Sequence, residues 1–263
     1  MLPPSFALKF ARGEHHLQTL ARQIEWWIAS EPYRISEEVD AHTELTTVYV
    51  EPFGNPPLEL SLLVGDVVQN YRAGLDHLAL ALAEAHIGGR AMPKVEADSQ
   101  FPIYSTKKLW RKGRARRVGC AVPRAQAKMQ RLQPWRSGDA WQRHPLWLLR
   151  ELSDFDKHRR LPLVGIYANL GPTSIGGGDV HITHLQLHGG GGALKEKTPL
   201  LTWGGVFNPT TGAKVDVNYQ VALQVAFAEQ GPPVVATTNT LDVLAAIGGY
   251  VRGEVIPNLQ PFL

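Results

Sequence analysis

LELSLLVGDVVQNYRAGLDHLALALAEAH, residues 58–86, is the longest periodic run in the chain. Its apolar residues recur at three- and four-residue spacings, Pro56 and Pro57 precede it, and Gly88 and Gly89 follow it. Proline before the start and glycine past the end frame one long helix. Polar side chains interrupt the run within GDVVQNYRAGLDH. At about 100° per residue, Asp66, Asn70 and His77 fall within roughly 40° of one another, and Arg72 and Asp76 lie on a different flank.

Toward the N-terminus, Leu8, Phe10, Leu17, Leu20, Ile24, Trp27 and Ile28 predict an amphipathic helix over residues 5–30, closing at Pro32. Tyr33–Phe53 alternates and is rich in β-branched residues around TELTTVYVEP, with DAHT as the turn of an antiparallel hairpin. Downstream, short helices are expected near 106–116 and from Pro123 to Leu132, then a loop around RSGD (136–139). PLWLLRELSDFDKHRR (145–160) opens another helix at Pro145. Its Glu151, Asp154 and His158 stand at i, i+3 and i+7 and share a face.

Beyond Leu161 the texture changes: 16 of the 25 glycines fall between Gly165 and Gly253, among alternating runs such as LPLVGIYANL, VHITHLQLH and KVDVNYQVALQVAFA. Antiparallel strands are expected there. A closing helix over about 240–256 is announced by Thr240 with Asp242, and carries Leu241, Leu244, Ile247, Val251 and Val255 on one face. The expectation is one α+β domain over 1–263: helix-rich over 1–160, sheet-rich over 161–238, closed by a helix over 239–256. The N-terminal hairpin is expected to join the sheet.

The chain has 263 residues, 44% hydrophobic and 19% charged, which excludes a disordered tail, a collagen and a coiled coil. Its one cysteine, Cys120, can form neither an internal disulfide nor a four-cysteine zinc site, and nothing around it activates a thiol. The N-terminus has no basic start followed by an apolar run and a small-residue cleavage site. No stretch of about 18 apolar residues occurs, so the expectation is a cytoplasmic protein without a membrane partner.

Net charge is only +3, but the charges are segregated. From Ser99 to Gly138 there is no acid, against eleven cations: Lys107, Lys108, Arg111, Lys112, Arg114, Arg116, Arg117, Arg124, Lys128, Arg131 and Arg136. The rest of the chain holds 16 basic and 24 acidic residues. KKLWRKGRARR is dense enough to bind a polyanion, and Trp110, Trp135 and Trp141 lie within or beside it. Cations for phosphate and aromatics for bases suit single-stranded RNA, with other polyanions as alternatives. The competing reading is a solvated helical face with its tryptophans in the core.

The RAGLDH segment places four residues between Arg72 and His77. In this it resembles the HEPN superfamily of helical nucleotide-binding and RNA-cleaving domains. The resemblance implies metal-independent endoribonuclease chemistry: His77 assists attack of a ribose 2′-hydroxyl as general acid/base, and Arg72 stabilises the phosphoryl charge. His158 then becomes a second proton-transfer candidate, with Asp154 or Asp156 as its orienting carboxylate. The sequence departs from the family at Ala73, where a polar residue is usual. On an ideal helix Arg72 and His77 stand about 140° apart. They can act together only across a groove, at an irregularity near Gly74, or through a symmetric partner in a homodimer. The longer pattern GDVVQNYRAGLDHL with PLWLLRELSDFDKHR resembles a recurrent set of uncharacterised bacterial proteins, which implies a shared fold and no particular reaction.

Two other readings stand beside this one. In the first, Asp66, Arg72, Asp76, Asp154, Lys157 and Arg159 form a structural ion-pair network, with Asn70 and Glu151 in the same stripes, in a noncatalytic binding protein. In the second, Asp154 and His158 at i, i+4 join His77 and Asp66 around a hydrolytic metal. Against it stand the nearby cations and the absence of HExxH and Glu-x-x-His spacings, so no metal or other cofactor is expected. Strand alternation leaves only His184 and His188, and not His181, on one side. The glycines of SIGGGD and HGGGGA lack a phosphate-loop ending and are expected as hairpin connections. No GxSxG elbow occurs.

Overall fold

A computed structural model describes residues 2–52, 54–89, 93–170, 174–176, 180–188, 192–193, 197–207, 216–218 and 221–263. Helices dominate the first 160 residues: α1 (Pro4–Ala29), α2 (Leu58–Ile87), α3 (Pro93–Asp98), α4 (Lys107–Val118), α5 (Pro123–Arg131) and α6 (Pro145–Asp156). A hairpin of β1 (Tyr33–Val39) and β2 (Thr46–Pro52) sits between the first two. Later come β3 (Leu163–Leu170), β4 (Ser174–Gly176), β5 (Val180–Leu187), β6 (Gly192–Ala193), β7 (Thr198–Phe207), β8 (Asp216–Asn218) and β9 (Val221–Phe227). The chain closes with α7 (Thr240–Tyr250), a π-helical turn (Val251–Val255) and α8 (Ile256–Leu259). The fold is α+β.

α1 and α2 form the frame. Phe6, Gly13, Leu20 and Trp27 repeat every seven residues and, with Ile24, are the buried positions of α1. That seam packs along α2, whose Leu60, Val64, Val67, Val68, Tyr71, Leu75, Leu78 and Leu82 are buried. Gly13 is where α1 has no room for a side chain, since a Cβ there would lie 2.7 Å from the Tyr71 ring. Leu8 departs from the expected core face. It is 72% exposed, in line with the exposed Trp26, and Phe6, two residues earlier, fills the seam. α2 ends as its sequence predicts, with Gly88 at φ +72° donating its N–H to Glu84 O.

The hairpin does join the later strands. β2 pairs antiparallel with β7, giving a four-stranded sheet of order β1-β2-β7-β5. The other described strands form the antiparallel sets β6-β3-β9 and β4-β8. In the hairpin turn, Asp40 Oδ1 accepts from the N–H groups of His42 (2.8 Å) and Thr43 (2.9 Å), which holds its carboxyl below the usual range. Val225 and Phe227 of β9 reach into the helical core and tie sheet to helices. The glycines at 177–178 and 189–191 lie outside the described residues.

Three local expectations need correction. RSGD lies within 3₁₀ turns over Pro134–Arg143, broken at Gly138, whose φ of +58° suits glycine. The last helix is capped by Asn239 rather than announced by Thr240: Asn239 Oδ1 accepts from Leu241 N (2.8 Å) and Asp242 N (3.2 Å), while Thr240 is buried. That helix also continues past 256 through its π turn, where Ile256 N–H reaches back to Val251 O ahead of Pro257, which has no N–H to give.

His144 links α6 to α7 and carries a pH prediction. Its Nδ1 accepts from Leu146 N (3.2 Å), capping α6, so the neutral ring presents Nε2–H to Tyr250 Oη at 3.2 Å. Burial pushes its pKa down from 6.5 to about 4. Below pH 6.5 the unfolded chain therefore takes up a proton that the folded protein refuses. Stability present in full above that pH is lost as pH falls toward 4, by about 1–2 kcal/mol after allowance for partial exposure. Urea unfolding between pH 7 and 4 should show a loss that His144→Asn, which retains a capping oxygen, does not share. Equal pH slopes in the two proteins refute this account.

Candidate nucleic-acid interface and the polar cluster beside it

Residues 101–104, Phe-Pro-Ile-Tyr, cross α2 with no secondary structure of their own, and Phe101, Pro102 and Ile103 are buried. Buried backbone without a ladder must find other partners, and side chains supply them. Phe101 N–H donates to Asp76 Oδ1 (2.9 Å), and Phe101 O accepts from Arg72 Nη2 (2.9 Å). Gln133, fully buried, donates to Pro102 O (2.7 Å) and accepts from Tyr104 N (2.9 Å). Arg150 Nη1 donates to Ile103 O (2.8 Å). Arg72 and Asp76 also pair with each other at 2.8 Å, one helical turn apart. Burial opposes the charge on both, lowering the Arg72 pKa and raising that of Asp76, while their mutual attraction acts against each shift.

The two polar stripes do not meet face to face. The flank of α2 that meets α6 carries Gly65 and Gln69: Gln69 Nε2 donates to Asp156 Oδ2 (2.9 Å), and a Cβ on Gly65 would lie 2.6 Å from Asp156 Oδ1. Asp66 is exposed and Asn70 donates back to its carbonyl (2.8 Å). His77, half-buried on the same stripe as these two, has no hydrogen bond or ion pair among the described residues. On the other side, His158 is exposed in the turn after α6, and Arg159 lies over the Phe155 ring at 6.0 Å. Half-buried Glu151 has its pKa raised by desolvation. Among the described residues no three His, Cys, Asp or Glu side chains gather where a metal ion could sit, so Asp66, His77, Asp154 and His158 do not form the metal cluster considered above. In β5, His181 and His184 are exposed across a bulge, and His188, which follows it, bonds Thr202 Oγ1 at 2.8 Å.

What does converge is cationic. Arg72, Arg117, Arg150 and Lys157 line one cavity of about 280 Å³ with Gln100, Ser153, Asp154 and the 101–104 segment. Asp154 pairs with Lys157 (3.0 Å) and Arg150 (3.5 Å). Arg117 donates to Asp98 O at 3.4 Å, so the C-terminal end of α4 forms part of the wall.

Along α4, Lys107, Lys108, Arg111, Lys112, Arg114 and Arg116 are exposed. Thr106 caps it by accepting from Leu109 N (3.2 Å), and buried Trp110 and Val118 anchor it. Trp110 is 2% exposed, edge-on to Tyr104 with ring centroids 6.5 Å apart, and so has no face for a base. Trp135 and Trp141 are half-buried, the latter edge-on to Trp147 at 4.7 Å. Among the described residues the one acid paired with α4 is Asp98, 3.9 Å from Arg116.

Gln69, Gln133, Arg150 and Ser153 were not singled out from the sequence. Gln133 had a signal, as one amide between Leu132 and Pro134-Trp135, and so did FPIY, an apolar stretch with neither helical nor strand periodicity. No helix among the described residues is long and apolar enough to cross a membrane. No protein-family model, curated protein or solved structure matches the chain.

Proposed function

We propose that this protein binds the phosphate backbone of single-stranded RNA along α4. The observation that carries this reading is a helix whose charge works against itself. Lys107 and Lys108 occupy its first turn, where the helix dipole opposes cations. Lys107 with Arg111, Lys108 with Lys112 and Lys112 with Arg116 are like-charged pairs at i, i+4. Trp110, Val118 and the Thr106 cap hold the helix in spite of this, and a polyanion would relieve the repulsion. With Trp110 in the core, the contact is to phosphates rather than by stacking on that ring, so sequence preference is weak and salt dependence strong. Arg72 and Asp76 act here as clamps on residues 101–104.

The HEPN-like ribonuclease reading has one observation in its favour, the imidazole of His77 left without a partner among the described residues. Within one chain Arg72 and His77 stay on separate flanks of α2, so that chemistry calls for a second copy in a homodimer.

Fluorescence anisotropy with a labelled single-stranded RNA, titrated across salt concentrations, tests the proposal. The expected result is affinity falling linearly on a log–log plot; no binding at low salt refutes it. Chelator-resistant cleavage that disappears in His77→Ala would move the assignment to the ribonuclease.

A further inference from the structure

We propose that the cavity beside α4 is a receptor for a phosphomonoester dianion. Four cations line it, Arg72, Arg117, Arg150 and Lys157, against one lining carboxylate, Asp154. The guanidiniums are held by protein acceptors, some of them in the cavity wall itself: Arg72 by Asp76 and Phe101 O, Arg117 by Asp98 O, Arg150 by Ile103 O and Asp154. Each is thereby fixed in place with donors to spare, because a guanidinium has five. Arg150 is further held over the Trp147 ring at 5.1 Å.

A second observation points to a ligand. Ser153, 1% exposed, also lines the cavity, and its Oγ is buried without a hydrogen-bond partner among the described residues. A buried hydroxyl left unpaired costs free energy that an acceptor oxygen would return. Planar guanidinium forks and an ammonium suit a terminal phosphate, which carries nearly two charges and three acceptor oxygens, and a phosphate seated against Ser153 would give its Oγ the acceptor it lacks. The volume leaves room for part of the attached sugar.

Such a phosphate has two sources, the 5′ end of a bound strand or a free phosphorylated metabolite. Arg117 sits both on α4 and in the cavity wall, which favours the strand terminus. That choice of source rests on the RNA-binding reading of α4; the receptor itself does not.

The test compares one single-stranded RNA carrying a 5′-phosphate or a 5′-hydroxyl, alongside calorimetry with 5′-AMP and with adenosine. The 5′-phosphorylated strand should bind about tenfold tighter, as expected for charge-assisted hydrogen bonds gained by one group. Lys157→Ala and Ser153→Ala should each remove most of that preference, and Asp154→Asn, which takes away the opposing charge, should widen it. Lys157 and Asp154 are exposed, so these two variants keep the test open should Ser153→Ala perturb packing. Equal affinity for both strands with no binding of 5′-AMP overturns the receptor, and salt-dependent binding of both strands in that case leaves the α4 reading standing. Binding of 5′-AMP but not adenosine, with neither strand bound, supports the receptor with a free ligand and overturns the α4 reading.

Discussion

Asp76→Ala is expected to lower the unfolding free energy by about 3 kcal/mol, the scale for removing one partner of a buried charged pair. Asp76 Oδ1 serves two donors at once, Arg72 Nη2 at 2.8 Å and Phe101 N–H at 2.9 Å. Among the described residues, alanine leaves the guanidinium with Phe101 O as its remaining acceptor and the amide with none, in a place where burial already disfavours the charge on Arg72. Asp76→Asn keeps an acceptor for the amide and gives up the charge, so its loss should be about half as large. Urea unfolding of the three proteins at neutral pH measures this. An Asp76→Ala loss below about 1 kcal/mol would mean that the pair is no more than a surface salt bridge. Residues 101–104 also form part of the cavity wall, so the same variant should weaken 5′-phosphate selectivity along with the fold.

The largest expected effect on binding belongs to α4. Changing Lys107, Lys108, Arg111 and Lys112 together to Gln removes four exposed cations with no ion-pair partner among the described residues. Single-stranded nucleic acid releases roughly 0.7 counterion per neutralised phosphate, so the log–log salt slope should fall by about 3 and affinity at about 0.1 M salt by several hundred-fold, on the order of 10^2.8 relative to a 1 M reference. Stability should hold or rise slightly, because the substitution removes repulsive i, i+4 pairs and leaves Trp110, Val118 and the Thr106 cap in place. That divergence separates a binding surface from a structural one. Unchanged RNA affinity in a folded variant would return these cations to the role of a solvated helical face.

The helices were largely legible because their signals are local. Apolar spacings of three and four residues, prolines ahead of helices and Gly88 behind α2 are read within a few residues of where they act. The hairpin was legible for the same reason, and the expectation that it joins the later sheet is met by the pairing of Thr46–Val50 with Thr198–Trp203. The Asn239 cap was missed by one residue, since Asn239 and Thr240 are both suitable types and only the direction of the side chain decides between them.

The candidate site was legible in its ingredients and not in its assembly. The acid-free interval gave the cations of α4, and the interruptions in α2 gave Arg72 and Asp76. Helical angles also put those two on a different flank from His77, as the structure has them. Missing was the partner of that flank. It is an irregular tetrapeptide some thirty positions downstream, not the opposite polar stripe, and no periodic signal marks it.

The sequence by itself determined the α+β class, the long central helix, and a concentration of positive charge on one segment, because apolar period and charge count are properties of the chain. Tertiary structure alone decided that Trp110 is core, that Asp156 answers Gln69, and that Arg117, Arg150, Lys157 and Ser153 meet Arg72 around one cavity. The physical reason is that a buried backbone amide, carbonyl or charge takes whichever partner packing brings within hydrogen-bond reach, and that partner lies at no fixed distance along the chain.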